Sequence, residues 1–356
     1  MLPYVLVAGL VGLIAIFSPM RRVNTGPWSV AFVVLVLFVG LRHHVGMDWN
    51  NYLAMIYRAT GGGIAQATAF AEPSYAALLW IFGRMGTGIY GPNLVVAVIL
   101  MAGLFHYART TPSPWVALLA ALPFLVIVTG MSANRQTAAI GILLWTIADW
   151  PRYSVVRRTA MVGLAATFHA SAIIFLALVL ADLKIGRALK IAVVALGGAF
   201  TVYYLTLADR FDYYDQVYVS GQTALTQSSG AIFHVLLNAG PAIAYFAMRR
   251  YRNVLLPNDL HRNMAKIAIV LLLLAPLTSA AAGRASLYLF PVSMHIFAAF
   301  PLVLRSEPTR LMYRIGCFAF FMFTLVFWLL ASNTGFSYLP YENFFTVDPG
   351  KRQLCC

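Results

Sequence analysis

The stretch from Trp28 to Tyr52 reads WSVAFVVLVLFVGLRHHVGMDWNNY. Up to Gly40 it is an apolar run, and beyond Gly40 an Arg, two His, an Asp and two Asn follow within one short segment. Polar groups beside hydrocarbon are costly unless they pair or face water, so this cluster predicts a functional site at a membrane surface. The alternative is a solvated loop whose aromatic residues lie in the membrane interface.

The rest of the chain has the composition of a membrane protein. Hydrophobic residues make up 61% and charged residues 10% of 356 positions. Many apolar runs approach the ~20 residues that span a bilayer, and they lack the alternation of barrel strands. The runs lie near 2–20, 27–41, 74–88, 92–108, 115–130, 136–150, 160–182, 188–208, 231–248, 264–282, 285–304 and 311–331. We therefore expect an all-α, polytopic transmembrane helix bundle.

The distribution of Arg predicts the topology, because cytoplasmic loops collect basic residues. Arg21 and Arg22 place the first loop inside and the segment 41–73 outside. The cytoplasmic loops also carry Arg152, Arg157 and Arg158 in 151–159, Arg249, Arg250, Arg252 and Arg262 in 249–263, and Arg305 and Arg310.

Twelve complete spans would place 151–159 outside, so two segments cannot both cross. We expect 74–88 and 160–182 to be re-entrant or broken helices near the outer face, since irregular backbone is tolerated where it lines a cavity. This gives about ten spans plus two such elements. We expect residues 1–336 to form a single integral membrane domain and 337–356 a C-terminal tail.

The net charge of +14 has two explanations. A basic balance is typical of nucleic-acid binding, but the cytoplasmic loops of a membrane protein explain it better. We therefore expect the lipid bilayer as a partner and no nucleic acid. All but four of the 25 basic residues are Arg, whose planar fork suits phosphate and carboxylate groups.

On this topology, polar residues from distant segments face the outer surface. The candidates are Arg42, Asp48, Tyr52, Glu72, Arg135, Gln136, His169, Arg284 and Tyr288. Arg can stabilise a diphosphate leaving group without a metal, and Asp, Glu or His can take a proton from an attacking sugar hydroxyl. There is no dense carboxylate cluster of the kind that holds Mg²⁺, so we expect no metal site and no cofactor.

Structural roles compete with these functional ones. Arg135 and Arg284 could form intramembrane ion pairs with Asp48 or Glu72. His169 could be a hydrogen-bonded core histidine.

Several motifs resemble those of the EpsG family, the Wzy-like polymerases of bacterial exopolysaccharide and O-antigen repeats. The segment Gly40–Tyr52 resembles the signature Gly-x-Arg-x-x-x-Gly-x-Asp-x-x-x-Tyr of that family. Further matches follow in the family's order: Glu72-Pro73-x-Tyr75, Arg135-Gln136, Phe168-His169-x-Ser171-Ala172, Arg284-x-x-x-Tyr288 and Tyr338-x-Pro340-Tyr341. The chain departs from the pattern at Ser132-Ala133-Asn134 before Arg135, where a Gly is usual, and at Trp49, where Tyr is frequent.

The resemblance implies a metal-independent membrane glycosyltransferase with a GT-C-like architecture. Its partners would be undecaprenyl-diphosphate-linked oligosaccharides, as donor and acceptor, with a chain-length regulator left open. It would polymerise these repeat units into exopolysaccharide or O-antigen in the bacterial inner membrane, with an active site that faces the periplasm.

Within this interpretation the candidates take three roles. Asp48, Glu72 and His169 are the catalytic candidates, with Asp48 ranked first as general base. Arg42, Arg135 and Arg284 would bind the diphosphate of the substrate. Tyr52, Gln136 and Tyr288 would position the substrate.

Two other classes remain open. A flippase or transporter of lipid-linked oligosaccharides would also have intramembrane Arg and re-entrant segments, but it would need no base beside a phosphate site. A membrane polysaccharide ligase or O-acyltransferase could use His169 or His295, although no second acyltransferase signature is visible.

Overall fold

The computed structural model describes residues 1–183, 185–186, 188, 231–276 and 279–353. Helices dominate these ranges, so the chain is an all-α membrane protein. They fall into two compact units, one built from Met1–Ile173 with Met294–Cys356 and the other from Ile174–Ser293. The prediction of one domain over 1–336 and a tail over 337–356 stays a prediction.

The helices up to residue 166 are α1 (Leu2–Phe17), α2 (Thr25–Gly40), α3 (Trp49–Gly61), α4 (Ile64–Thr68), α5 (Pro73–Arg84), α6 (Tyr90–Arg109), α7 (Pro114–Ala121), α8 (Gly130–Ser132), α9 (Asn134–Ala148) and α10 (Val155–Ala166). The later helices of the described ranges are α11 (Leu176–Asp182), α12 (Ala231–Ala247), α13 (Arg252–Leu255), α14 (Asp259–Leu274), α15 (Ser279–Ser286), α16 (Phe290–Ala299), α17 (Glu307–Ala331) and α18 (Pro349–Gln353). Two short strands are β1 (Arg42–His43) and β2 (Glu342–Asn343).

The number of possible spans is smaller than expected. In the described ranges, four helices are long and apolar enough to cross a membrane: Tyr90–Arg109, Pro114–Ser132, Ala281–Leu302 and Glu307–Ala331. Four further apolar helices have 10–17 residues. The count of about ten spans is therefore not supported, because many apolar runs form helices such as α2, whose 16 residues extend ~24 Å against a hydrocarbon core of ~30 Å. The predicted segment 188–208 lies almost entirely outside the described residues.

The two elements expected to be re-entrant or broken are short or interrupted. Helix α5 has 12 residues, about 18 Å of rise, and Arg84 lies in its last turn. The predicted segment 160–182 is divided: α10 ends at Ala166, a 3-10 turn covers Ala170–Phe175, and α11 follows. The segment is thus a broken helix, with the break between Ala166 and Leu176.

Helices α6 and α9 form the closest crossing of the first unit. A Cβ atom added to Gly103 would lie 1.9 Å from the carbonyl oxygen of Gly141, and one added to Gly141 would lie 2.5 Å from that of Ile99. Two backbones can approach this closely only where neither residue has a side chain, as is common between membrane helices. The crossing fixes α9, whose first turn carries Asn134, Arg135 and Gln136.

Between α7 and α8 the chain is π-helical over Leu122–Thr129, which contains Pro123. Proline lacks a backbone N–H, and such irregular turns leave carbonyl groups that need other donors. Two of them accept from side chains: the hydroxyl of Tyr338 donates to the oxygen of Val128 at 2.7 Å, and that of Thr137 donates to the oxygen of Thr129 at 3.0 Å.

Residues from the predicted C-terminal tail lie against the segment 41–48. Strands β1 and β2 pair antiparallel, with Arg42 opposite Asn343 and His43 opposite Glu342. The amide of Gly46 donates to the oxygen of Ser337 at 2.8 Å. The chain thus closes one short sheet between two segments about 300 positions apart.

In the second unit, α12 packs against α14 and α15, and α14 also contacts α11. Asn238 on α12 is buried and donates to the oxygen of Ser286 at 2.8 Å, while its side-chain oxygen accepts from Ser293 at 2.8 Å. Buried amides of this kind are satisfied by their neighbours, so they fix the register of the helices they join.

Candidate active site

Glu72 connects three distant segments of the first unit. The guanidinium of Arg135 donates through Nη1 to Glu72 Oε2 at 2.8 Å. The Nδ1 atom of His169 lies 3.1 Å from Glu72 Oε1, and the amide of Ala170 donates to that same oxygen at 3.3 Å. A carboxylate, a guanidinium and an imidazole that the sequence separates by 63 and 97 positions thus form one group.

The backbone around Glu72 explains this meeting. Glu72 has extended dihedral angles, φ −64° and ψ 151°, as expected for a residue before proline, and Pro73 begins α5. Just after it, the amide of Ser74 donates to the oxygen of Thr167 at 3.0 Å, and the two hydroxyl groups lie 2.7 Å apart. The start of α5 is therefore attached to the break after α10, which carries His169.

The electrostatics of the group keep Glu72 ionised. Burial alone would raise the pKa of Glu72, but the hydrogen bond from His169 and the charge of Arg135 outweigh burial and lower it to about 2. The Glu72 side chain is 17% exposed, that of His169 20% and that of Arg135 34%. A carboxylate with so low a pKa is a weak proton acceptor at neutral pH. Glu72 is better suited to hold the imidazole and the guanidinium in place.

Tyr52 extends the group on the side of α3. Its hydroxyl interacts with Arg135, and its ring packs edge-on against Tyr75 with a centroid distance of 5.4 Å. Burial and the charge of Asp48 raise the pKa of Tyr52 to about 12, so this hydroxyl is neutral and can donate. Asp48 precedes α3 and accepts from Asn51 at 3.4 Å. Gln136, next to Arg135, is buried.

Arg42 lies in a buried polar network. Its side chain is 1% exposed, and its nitrogens donate to three protein oxygens: those of Val39 at 2.7 Å and Val45 at 3.2 Å, and Oδ1 of Asn134 at 2.8 Å. Asn134 in turn donates to Oδ1 of Asn93 at 2.6 Å. Arg42 therefore holds the 41–48 segment against α9. The binding of a diphosphate by Arg42 stays a prediction.

Arg284 and Tyr288 belong to the second unit. Arg284 lies exposed in the last turn of α15. Tyr288 is buried, and its ring lies 6.0 Å from that of Phe175 in an edge-on arrangement. Their predicted roles in diphosphate binding and substrate positioning stay predictions.

Two features of the site were not identified from the sequence as parts of it. Asn93 is buried in α6, and the only signal in the sequence is a polar residue within an apolar run. Tyr338 and Tyr341 appeared in the last of the family motifs, but no role was predicted for them. The hydroxyl of Tyr341 donates to the oxygen of Phe38 at 2.8 Å and that of Tyr338 to the oxygen of Val128, so these tyrosines attach the C-terminal residues to α2 and to the π-helical stretch.

Within the described ranges, no group of three or more His, Cys, Asp or Glu is arranged to hold a metal ion. The metal independence of the reaction stays a prediction. The model of the EpsG family matches residues 27–343, nearly the whole chain. No curated protein and no solved structure matches the chain.

Proposed function

The chain belongs to the EpsG family, and from that premise we propose that it is a glycosyltransferase that polymerises undecaprenyl-diphosphate-linked oligosaccharide repeat units. The product is an exopolysaccharide or O-antigen chain, formed at the periplasmic face of a bacterial inner membrane without a metal. The observation that carries the proposal is the group of Glu72, Arg135 and His169, because it combines a proton acceptor with a cation beside it.

In this proposal His169 is the general base. With a proton on Nδ1, the imidazole donates to Glu72, and Nε2 is the nitrogen that can take a proton. It accepts the proton of the acceptor sugar hydroxyl while that oxygen bonds to the anomeric carbon of the donor. Glu72 is then a positioning residue, which fixes the tautomer and stabilises the imidazolium that forms. Asp48, ranked first from the sequence, stays the alternative base.

Arg135 stabilises the leaving group. As the new glycosidic bond forms, the bond from the anomeric carbon to the diphosphate oxygen breaks, and its electron pair leaves with the lipid diphosphate. A guanidinium has five N–H donors, of which Glu72 takes one in the contact at 2.8 Å. Its side chain is one third exposed, so further donors can reach a phosphate. Tyr52 and Gln136 lie beside it as positioning residues, and Arg284 stays a second candidate for the diphosphate.

The proposal is tested with His169→Gln in a strain that lacks the native gene. We expect polymer formation to fall by ~10²–10⁴-fold, the usual contribution of general-base catalysis, with single repeats accumulating on the lipid. His106→Gln is the matched control, because His106 pairs with Asp149 at 3.0 Å in another half-buried histidine–carboxylate contact of the first unit. The amount of each variant in the membrane is measured alongside.

Three outcomes would contradict the proposal. If His169→Gln forms polymer at the normal rate and Asp48→Asn does not, Asp48 is the general base. If polymer formation falls equally in His106→Gln and His169→Gln, the loss is a structural effect of breaking a histidine–carboxylate pair. Repeats trapped on the cytoplasmic side in the deletion strain identify a flippase rather than a polymerase.

A further inference from the structure

The second unit contains a cavity of about 570 Å³ where α11, α12 and α14 end or begin. Its volume lies within the range of small-ligand sites, ~300–1,000 Å³. Its charged lining residues are Asp182, Arg252, Asp259, Arg262 and Lys266. Three cationic groups face two carboxylates, which leaves one net positive charge. This balance suits a singly charged anion.

Arg262 forms a wall of this cavity and has most of its donors committed. Nε donates to the oxygen of Leu256 at 2.9 Å, Nη1 to Asp259 at 3.2 Å, and Nη2 to Asn253 at 2.9 Å. These bonds hold the turn between α13 and α14 in one shape. The rim of the cavity therefore keeps its shape without a ligand.

Arg252 and Lys266 have donors to spare. Within the described residues, Arg252 donates through Nη2 to the oxygen of Phe246 at 3.0 Å, which uses one of its five N–H groups. Lys266 donates to Asn263 at 3.1 Å, which uses one of its three ammonium hydrogens. The N–H groups that these two cations have left can donate to an anionic oxygen bound in the cavity, and hydrogen bonds between charged partners are the strong ones.

The surface beside Lys266 is apolar. Val270 and Leu274 follow it at spacings of four residues on α14, and they are 51% and 42% exposed. Residues four apart lie on the same helix face, so a strip of hydrocarbon extends ~12 Å from the ammonium group. The cavity itself borders the segment 249–263, which the Arg distribution predicts to be cytoplasmic.

We propose that this cavity binds the headgroup of an anionic phospholipid of that leaflet. Arg252 and Lys266 hold the phosphodiester, and one acyl chain lies along Val270 and Leu274. Basic pockets between membrane helices on the cytoplasmic side commonly take such headgroups. The site is independent of the polymerase reaction proposed for the group around Glu72.

The test is lipid binding to the purified full-length protein in detergent, followed by native mass spectrometry and thermal unfolding. We expect phosphatidylglycerol to bind more tightly than phosphatidylcholine and to raise the Tm. Removing one cation near a membrane surface costs about fivefold in affinity, so Lys266→Gln and Arg252→Gln are each expected to lose about that much. Arg249→Gln is the matched control, because Arg249 is exposed in the same basic segment and does not line the cavity.

Lys266→Gln guards against a folding artefact, because within the described residues Lys266 bonds a neighbouring side chain, that of Asn263, whereas Arg252 bonds the end of α12. Unchanged binding in the Lys266 and Arg252 variants would overturn the proposal, as would equal affinity for phosphatidylcholine. Glycerophosphoglycerol carries the same headgroup without acyl chains, so its affinity distinguishes a site for a lipid from a site for a soluble phosphate ester. Binding as tight as that of the intact lipid would identify a soluble phosphate ester as the ligand.

Discussion

At Glu72 one carboxylate accepts hydrogen bonds from a guanidinium, a backbone amide and the imidazole of His169. Each partner stabilises the charged form, and together they overcome the cost of burial. Glu72 and His169 therefore take different roles in the proposed reaction. Glu72 keeps its charge beside the imidazole, so His169 rather than Glu72 is the group that we propose as the proton acceptor.

The low pKa of Glu72 predicts a pH dependence of stability. The unfolded carboxyl has its ordinary pKa near 4.5 and the folded one about 2. The stabilisation, of the order of 3 kcal/mol, is thus fully present above pH 4.5 and is lost as the pH falls toward 2. Thermal unfolding of the purified protein and of Glu72→Gln, compared from pH 7 to pH 3, measures this. We expect the Tm difference between them to shrink over that range.

A Tm difference that stays constant down to pH 3 would mean that Glu72 is not held ionised by its neighbours. Because both proteins carry all other acidic groups, those titrations cancel in the difference to first order.

Residue types and motif order were enough to select Glu72, Arg135 and His169 as candidates, and the structure brings these three together. The position of Arg42 could not be predicted in the same way. Its acceptors are mostly backbone carbonyls, whose directions depend on the path of the chain. That path needs Gly46 at φ 101°, where a Cβ would lie 1.9 Å from the oxygen of Met131. A motif gives the identity of Arg42 but no information on which groups its nitrogens face.

At the scale of elements, long uninterrupted apolar runs were located well. The run 92–108 corresponds to Tyr90–Arg109, and 311–331 to Glu307–Ala331. Apolar runs near breaks were not located well, because proline and polar residues end helices before they reach spanning length. Hydropathy measures how apolar a segment is, whereas the length of a helix depends on its local hydrogen bonds.

The crossing of α6 and α9 predicts a difference between two glycines. Gly141→Ala places a Cβ 2.5 Å from the oxygen of Ile99, so the helices must separate, at a cost of ~1–3 kcal/mol. Gly163 in α10 has no atom within 4 Å of such a Cβ, and alanine there is expected to stabilise by ~0.5–1 kcal/mol through the unfolded chain. The Tm of the purified variants distinguishes them.

Equal Tm values for Gly141→Ala and Gly163→Ala would contradict the close crossing. Because Gly141 lies two turns from Arg135 on the same helix, we also expect Gly141→Ala to reduce polymer formation, which Gly163→Ala leaves intact.

At the scale of the whole molecule, the Arg distribution predicts on which side each loop lies. Residues 41–73 are expected outside and 151–159 inside, so 74–88 and 160–182 do not both span. Asn51→Cys and Ser154→Cys, each introduced after Cys317, Cys355 and Cys356 have been replaced by Ser, can be labelled with an impermeant maleimide. Both native positions are exposed. We expect the first to react from outside and the second only after the membrane is opened. Labelling of both from one side would show the topology to be wrong.

The pairing of β1 with β2 also has a consequence for biosynthesis. Residues 42–43 leave the ribosome early, whereas their partners 342–343 are made some 300 codons later. Ser337, whose carbonyl oxygen accepts from the amide of Gly46, is equally late. The first helices enter the bilayer while the segment that carries Arg42 and Asp48 still lacks its strand partner. A nascent chain arrested before residue 337 therefore holds Glu72, Arg135 and His169 but not the support of the neighbouring loop. Insertion and maturation of the site are separate events in time, and translation itself sets their order.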